Sequence, residues 1–308
     1  MTNGSDPRPT KNQRREEARE KARLLREEQK KRERRNKVLL QGGIAIAIVA
    51  VVAIVALIIV QSVKTAGPGP KNMASDGIVI GEGLKAVTTP ALAAGASPTP
   101  TVPDESGKVA NIRVYLDYLC PYCNQFETTN AEQMQKWLES GAATLEIHPI
   151  ALLKTKSAGT MYSSRAANAA ACVANYSPDD FFVFNSALFA DQPEEGTAGL
   201  SNEEIAAVAK DAGVGSFSSV EKCITDGKLG TFSSWVEAST DRALNEPIPN
   251  SDLKAVGGTP TVLVNGKQYS GSLTDPEEFA SFVIQAAGET YSTSTPTPTP
   301  TPTATPAG

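Results

Sequence analysis

The sequence predicts an α/β domain with an α-helical insertion, and three observations predict it. A strand-dense run, "VANIRVYLDYL", leads directly into a helical segment and a second strand. A long stretch of helical periodicity, about residues 157 to 244, follows. The chain then returns to strand character in "TPTVLVNGKQYSG" and closes on an amphipathic helix. Alternating strands and helices interrupted by a helical block place the block outside a central sheet.

Each element has a local reason. In "VANIRVYLDYL", Val109, Ile112, Val114 and Leu116 have the β-branched density of a strand. "NQFETTNAEQMQKWLES" spaces Phe126, Met134, Trp137 and Leu138 as a helix face, with Gly141 as its stop. "ATLEIHPIAL" reads as the second strand. The insertion holds the Ala-rich "SRAANAAACVAN", the Phe-rich "DDFFVFNSALFA", and "SNEEIAAVAKDAG" with Ser201 or Asn202 as N-cap and Gly213 as stop. "SVEKCITDG" and "FSSWVEASTDRAL" complete it. Asn265-Gly266 between two apolar runs is a strong hairpin signal. In "TDPEEFASFVIQAAG", Pro276 suits a first helical turn and Gly288 an end.

The folded domain is thus expected over 109–288. The flanks differ in composition. Residues 1–37 hold 14 Lys+Arg against 7 Asp+Glu, whereas residues 38–308 hold 15 against 27. A basic end on an acidic chain suits a membrane orientation signal better than a nucleic-acid binder. Val38 to Val60 is free of charge over 23 residues. As a helix it would span roughly 35 Å, enough to cross a hydrocarbon core of about 30 Å. It exceeds a signal-peptide core of about 7–15 residues, and Lys64 spoils a small-x-small cleavage site before Gly67. An uncleaved single-pass anchor in the cell membrane is therefore expected at 38–60. The basic cluster "KKRERRNK" places residues 1–37 in the cytoplasm and the rest in an extracytoplasmic, oxidising space. Residues 61–108, rich in Gly, Ala, Pro and Thr, read as a linker with one possible short strand at 76–83. The Thr-Pro repeat at 289–308 cannot bury apolar surface and reads as a disordered tail.

The chemistry centres on "LDYLCPYC". Cys120 and Cys123 fall where a strand yields to a helix, so unpaired N–H groups and the positive end of the helix dipole favour a thiolate. Two intervening residues let one sulfur attack a disulfide made by the other. Pro121 fits the first helical turn, and Tyr122 between the cysteines is expected to be partly exposed. Zinc would need four ligands, and the chain offers no second C-x-x-C and a single histidine, His148. No metal or cofactor is expected. Spacing alone leaves open a purely structural Cys120–Cys123 bridge.

Taken together, "YLDYLCPYCNQFE", "GGTPTVLVNG" and the helical block between them resemble the thioredoxin superfamily, most closely its DsbA-like thiol-disulfide oxidoreductases of the membrane-anchored actinobacterial type. The resemblance covers about residues 109–288 and implies a thioredoxin-like fold with a helical insertion. It implies that Cys120 is the nucleophile and Cys123 the resolving thiol of a redox-active Cys120–Cys123 disulfide. It also implies that Pro260 is cis and that Thr259 turns its backbone toward the sulfurs. Cys172 and Cys223, by the same resemblance, form a structural disulfide across the insertion, with free buried thiols or a second redox pair as alternatives. Asp117 is a candidate proton relay or, equally, a loop-bonding carboxylate. His148 reads as a satisfied strand-end histidine. Pro121-Tyr122 is the dipeptide common in glutaredoxins, which leaves the redox potential open.

The implied function is oxidation of cysteines in secreted or envelope proteins, with a DsbB-like or VKOR-like membrane partner restoring the disulfide. A reductase or isomerase using the same site is the nearest alternative. A non-catalytic cell-envelope scaffold on the same fold is another.

Overall fold

A computed structural model describes residues 66–294 apart from 105 and 107, together with a few helical residues between 20 and 32. The chain divides into two units, 1–64 and 65–308. In the first, Arg23 and Glu27 pair one helical turn apart, an exposed contact of little energetic weight. The expected span at 38–60 and the tail beyond 294 lie outside the described residues. Among those described, no helix is long and apolar enough to cross a membrane.

In the second unit, β1 (Ile78–Ile80) is followed by β2 (Ala110–Leu116), α1 (Pro121–Glu139) and β3 (Ala143–Pro149). The insertion comprises α2 (Tyr162–Tyr176), α3 (Phe181–Ala190), α4 (Asn202–Asp211), α5 (Phe217–Ile224) and α6 (Ser233–Asn245). β4 (Thr261–Val264), β5 (Lys267–Gln268) and α7 (Pro276–Ser294) close the unit. The five strands lie in the order β1-β3-β2-β4-β5, so β2 is central. It runs parallel to β3, with Val114 opposite Ile147, and antiparallel to β4, with Val114 opposite Val262. A strand covered on both faces requires a near-continuous apolar run, which "VYL" supplies. Between β4 and β5, Asn265 (φ 49°) and Gly266 (φ 79°) both take the left-handed conformation that a tight hairpin of this kind needs.

The insertion is built around α2, whose residues Tyr162 to Ala174 are all buried. Its alanines let α3, α5 and α6 approach closely. α4 starts with a capping box: Ser201 Oγ accepts from Glu204 N, and the Glu204 carboxylate accepts from Ser201 N. Phe181, Phe182, Phe184, Leu188 and Phe189 of α3 are core residues. α7 runs six residues past Gly288. That glycine keeps a negative φ, so it sits inside the helix instead of capping it.

The linker reading of 61–108 needs correction from residue 66 onward. Residues 66–104 pack against the sheet and the insertion. Met73, Ile78 and Ile80 are buried, and β1 pairs with β3, Ile78 opposite Ile147. Asn72 Nδ2 donates to the Ala174 carbonyl (2.8 Å), and Asp179 accepts from Ala86 N (3.0 Å). Glycine here serves close approach, not freedom. A Cβ at Gly77 would lie 2.6 Å from His148 Nε2, and one at Gly69 would lie 3.0 Å from the Trp235 ring.

The strongest anchor is buried Asp76. It accepts from Arg242 Nε (2.6 Å), Arg242 Nη2 (2.8 Å) and Trp235 Nε1 (3.1 Å). Replacing Arg242 with alanine strands that carboxylate, and a broken buried pair costs about 3–5 kcal/mol. Urea unfolding should show a loss of that order. A change under about 1 kcal/mol would mean the segment is not fastened there.

Candidate redox site

The site forms where β2 ends and α1 begins. Cys120 is the N-cap of α1, in extended backbone, and Pro121 occupies the first helical turn. A short turn closes over this junction: Asp117 O accepts from Cys120 N (2.9 Å), and Cys120 O accepts from Asn124 N (3.2 Å). Tyr122 is 61% exposed, whereas Cys123 faces inward and is fully buried. Both cysteines are free thiols.

Thr259-Pro260 is a cis peptide just before β4. The Thr259 carbonyl accepts from Cys120 Sγ at 3.2 Å. Strand pairing explains the encounter, since Tyr115 near the end of β2 lies opposite Thr261 at the start of β4. Thus Cys120, Cys123, Thr259, Pro260, Pro121 and Tyr122 meet at one place.

The electrostatics separate the two sulfurs. A hydrogen bond from the Cys123 side chain pulls the Cys120 pKa down to about 6 against the opposing effect of burial. The Thr259 side chain and the backbone N–H groups of Cys123 and Tyr122 help. Burial, reinforced by the facing Cys120 sulfur, pushes Cys123 well above the ordinary thiol range. Of the two, Cys120 is therefore the sulfur that ionises first, giving up its hydrogen bond to the Thr259 carbonyl, while Cys123 stays a thiol. The outer sulfur is then both the better nucleophile and the better leaving group.

Asp117 is wholly buried and loop-bonding in geometry. Its Oδ1 accepts from Leu119 N (2.9 Å) and its Oδ2 from Leu153 N (2.7 Å). Burial raises its pKa to about 6 despite those bonds. His148 is not brought to the cysteines. It lies on the sheet face covered by residues 66–104, stacked on Tyr115 (4.3 Å between rings) with Nε2 3.3 Å from Glu146 Oε1. Burial works to raise the Glu146 pKa, but His148, Arg113 and Thr101 together draw it well below the carboxylate range. Cys172 and Cys223 are joined in a disulfide between α2 and α5. Among the described residues, no cluster of three or more His, Cys, Asp or Glu side chains is arranged to hold a metal ion.

Four residues that sequence reasoning did not single out complete the surroundings. Gln192, just past α3, donates to the carbonyls of Tyr118 (3.1 Å) and Cys120 (3.0 Å), so the insertion clasps the active-site turn. Beneath it, Tyr118 Oη donates to Asn185 Oδ1 (2.9 Å), and Asn185 Nδ2 donates to Glu127 Oε2 (3.1 Å). Glu127 had a visible signal: it falls on the same helical face as Cys123, Phe126, Asn130 and Met134, all buried.

A family model described as Thioredoxin matches residues 104–284, more than half of the chain. The chain belongs to the thioredoxin family. Among solved structures, this thioredoxin-family protein is similar to the reduced disulfide bond oxidoreductase DsbG of Mycobacterium tuberculosis. Identity is 28% and the TM-score 0.50, covering 71% of this chain and 93% of that one. It is also similar to reduced DsbA of M. tuberculosis, with 28% identity, TM-score 0.49, and 71% and 100% covered. A third is MdbA of Corynebacterium matruchotii, a thiol-disulfide oxidoreductase, with 22% identity, TM-score 0.49, and 70% and 92% covered. None of the curated proteins matches the chain.

Proposed function

We propose that this thioredoxin-family protein is an extracytoplasmic thiol-disulfide oxidoreductase that donates the Cys120–Cys123 disulfide to cysteines of secreted or envelope proteins. The observation that carries the reading is the meeting of Cys120, Cys123 and the cis Thr259-Pro260 peptide at one place, where Cys123, Thr259 and the α1 N–H groups favour the Cys120 thiolate. A stabilised thiolate favours the reduced protein, and a disulfide whose reduced form is stabilised is a strong oxidant.

The step balances without a cofactor. A substrate thiolate attacks Cys120 Sγ, the Cys120–Cys123 bond breaks, and its electron pair leaves on Cys123 Sγ. A second substrate thiolate then attacks the substrate sulfur of the mixed disulfide. Cys120 leaves as thiolate, the substrate disulfide forms, and the pair is left reduced. The Thr259 carbonyl, beside Cys120, is placed to accept a main-chain N–H of the substrate.

An extracytoplasmic location is supported by the charge-free run at 38–60, the basic cluster before it and the Cys172–Cys223 bridge, which suits an oxidising compartment. A membrane quinone reductase of DsbB or VKOR type would restore the disulfide. Thiol trapping in intact cells with a mass-tagged maleimide tests the reading. Cys120 and Cys123 should be predominantly oxidised, and the oxidised full chain should form disulfides in a reduced, unfolded protein. A pair found mainly as dithiol in cells would make the protein a reductase or isomerase.

A further inference from the structure

The active-site turn carries two backbone carbonyls that share one side-chain donor. Cys120 N donates to Asp117 O, which puts Tyr118 and Leu119 at the centre of a tight turn. The carbonyls of Tyr118 and Cys120 then converge on Gln192 Nε2, at 3.1 and 3.0 Å. Among the described residues, Gln192 is the only side chain that donates to either of them. Tyr118 and Cys120 are buried, and Pro121 brings no N–H of its own. A buried carbonyl without a donor is costly, so the amide of Gln192 fixes both peptide planes.

We propose that Gln192 is a positioning residue for the redox pair: by fixing the Cys120 carbonyl it holds the Cys120 sulfur against the N–H groups that begin α1, and so sets the redox potential. The proposal rests on the thiol–disulfide reading of Cys120 and Cys123 but not on the direction of electron flow. The torsion that aims a carbonyl is ψ of the same residue. Pro121 confines the residue before it to extended backbone, with ψ at about 120–160°. Cys120 stands at the low edge of that range, at ψ 117°, where its carbonyl meets Gln192. Rotation about this bond swings the N–H groups of Tyr122 and Cys123 relative to the Cys120 sulfur, and those groups help to favour its thiolate. Pro121 thus sets the region, and Gln192 sets the angle within it.

The insertion holds this amide still. Pro193 disfavours helical backbone at Gln192, and α3 stops two residues earlier, at Ala190. Gln192 N nevertheless donates to Phe189 O (3.3 Å), which ties the residue to the last turn of that helix. Phe189 O also accepts from Asn124 Nδ2 (2.5 Å), one turn into α1. With the bond from Tyr118 Oη to Asn185, the end of α3 is stitched to the turn and to the start of α1 from both sides. Gln192 is half-buried and uncharged, and it is not among the groups with the largest direct effect on either sulfur. Its influence passes through the backbone that it holds.

The test compares the full-length chain with Gln192→Met, which keeps the length of the side chain and removes its donor, and with Gln192→Ala. Ser201→Ala is the control, because it opens the capping box of α4 and loosens the insertion without touching the turn. Two quantities are read on each protein. One is the pH midpoint of Cys120 alkylation in the reduced form. The other is the share of disulfide at equilibrium with mixtures of reduced and oxidised glutathione. Loss of the donor should raise the midpoint by about half a pH unit or more. It should also move the glutathione equilibrium toward the disulfide by about threefold or more, since a less stable thiolate makes a weaker oxidant. Ser201→Ala should move neither. Wild-type values of both quantities in the two Gln192 variants overturn the proposal. An equal shift in Ser201→Ala overturns it too, by making the effect one of general loosening. Either result leaves the redox site standing. A wild-type pair that does not equilibrate with glutathione at all defeats the thiol–disulfide reading itself, and the proposal with it.

Discussion

Replacing Cys120 with serine is expected to lower substrate oxidation by at least about a thousandfold, the scale on which loss of a nucleophile acts. A hydroxyl at the helix N-cap still enjoys the N–H groups of Tyr122 and Cys123, but its own acidity is too low for an alkoxide to form near neutral pH. Cys123 cannot substitute, because it is fully buried and its thiolate is disfavoured. Cys123→Ser should fail differently. Cys120 still attacks, but no inner thiol is left to resolve the adduct, so covalent complexes with substrate proteins should accumulate on a non-reducing gel. Alkylation of Cys120 in the reduced wild type should rise through about pH 6, since the thiolate is present above that value and lost below it. A Cys120→Ser protein retaining a tenth of wild-type oxidation would remove the nucleophile from this site.

What the sequence disclosed and what it hid divide along a physical line. β2, the C-x-x-C turn and the Asn265-Gly266 hairpin were legible because each is a local pattern: β-branched density, a proline at a helix start, two left-handed residues in a row. Residues 66–104 were not, beyond the short strand expected at 76–83, where β1 lies. Their composition averages to a linker, while their placement depends on a few anchors, above all Asp76 with Arg242, 166 positions away. The same averaging hid Glu127, because a glutamate in a helix ordinarily faces water. Its spacing from Cys123 was visible, but the Asn185 and Tyr118 side chains that accommodate it come from other elements. Asp117 shows the converse. Its closeness in sequence to Cys120 left a relay and a loop-bonding carboxylate equally open, and the fold engages both its oxygens with the backbone N–H groups of Leu119 and Leu153.

Removing the Cys172–Cys223 bridge as the double alanine variant is expected to cost stability without costing chemistry. The bridge closes a loop of 51 positions. In the chain-entropy model such a loop stabilises the fold by about 4 kcal/mol. For a unit of this size, that corresponds to a drop in Tm on the order of 10 °C. Alanine is the right replacement, because both sulfurs are buried and serine would add unpaired hydroxyls to the cost. The bridge ties α2, the fully buried helix of the insertion, to α5. The clasp on the active-site turn comes from Gln192, just past α3, and α3 packs on the same helix. Below the transition, oxidation of substrate should therefore stay within about twofold of wild type. Tryptophan fluorescence in urea and a single-turnover oxidation assay at 25 °C separate the two quantities. A loss of stability under about 1 kcal/mol would mean that the bridge adds little to the fold. A large loss of oxidation in a still-folded variant would make Cys172 and Cys223 a second redox pair, passing electrons instead of holding the insertion together.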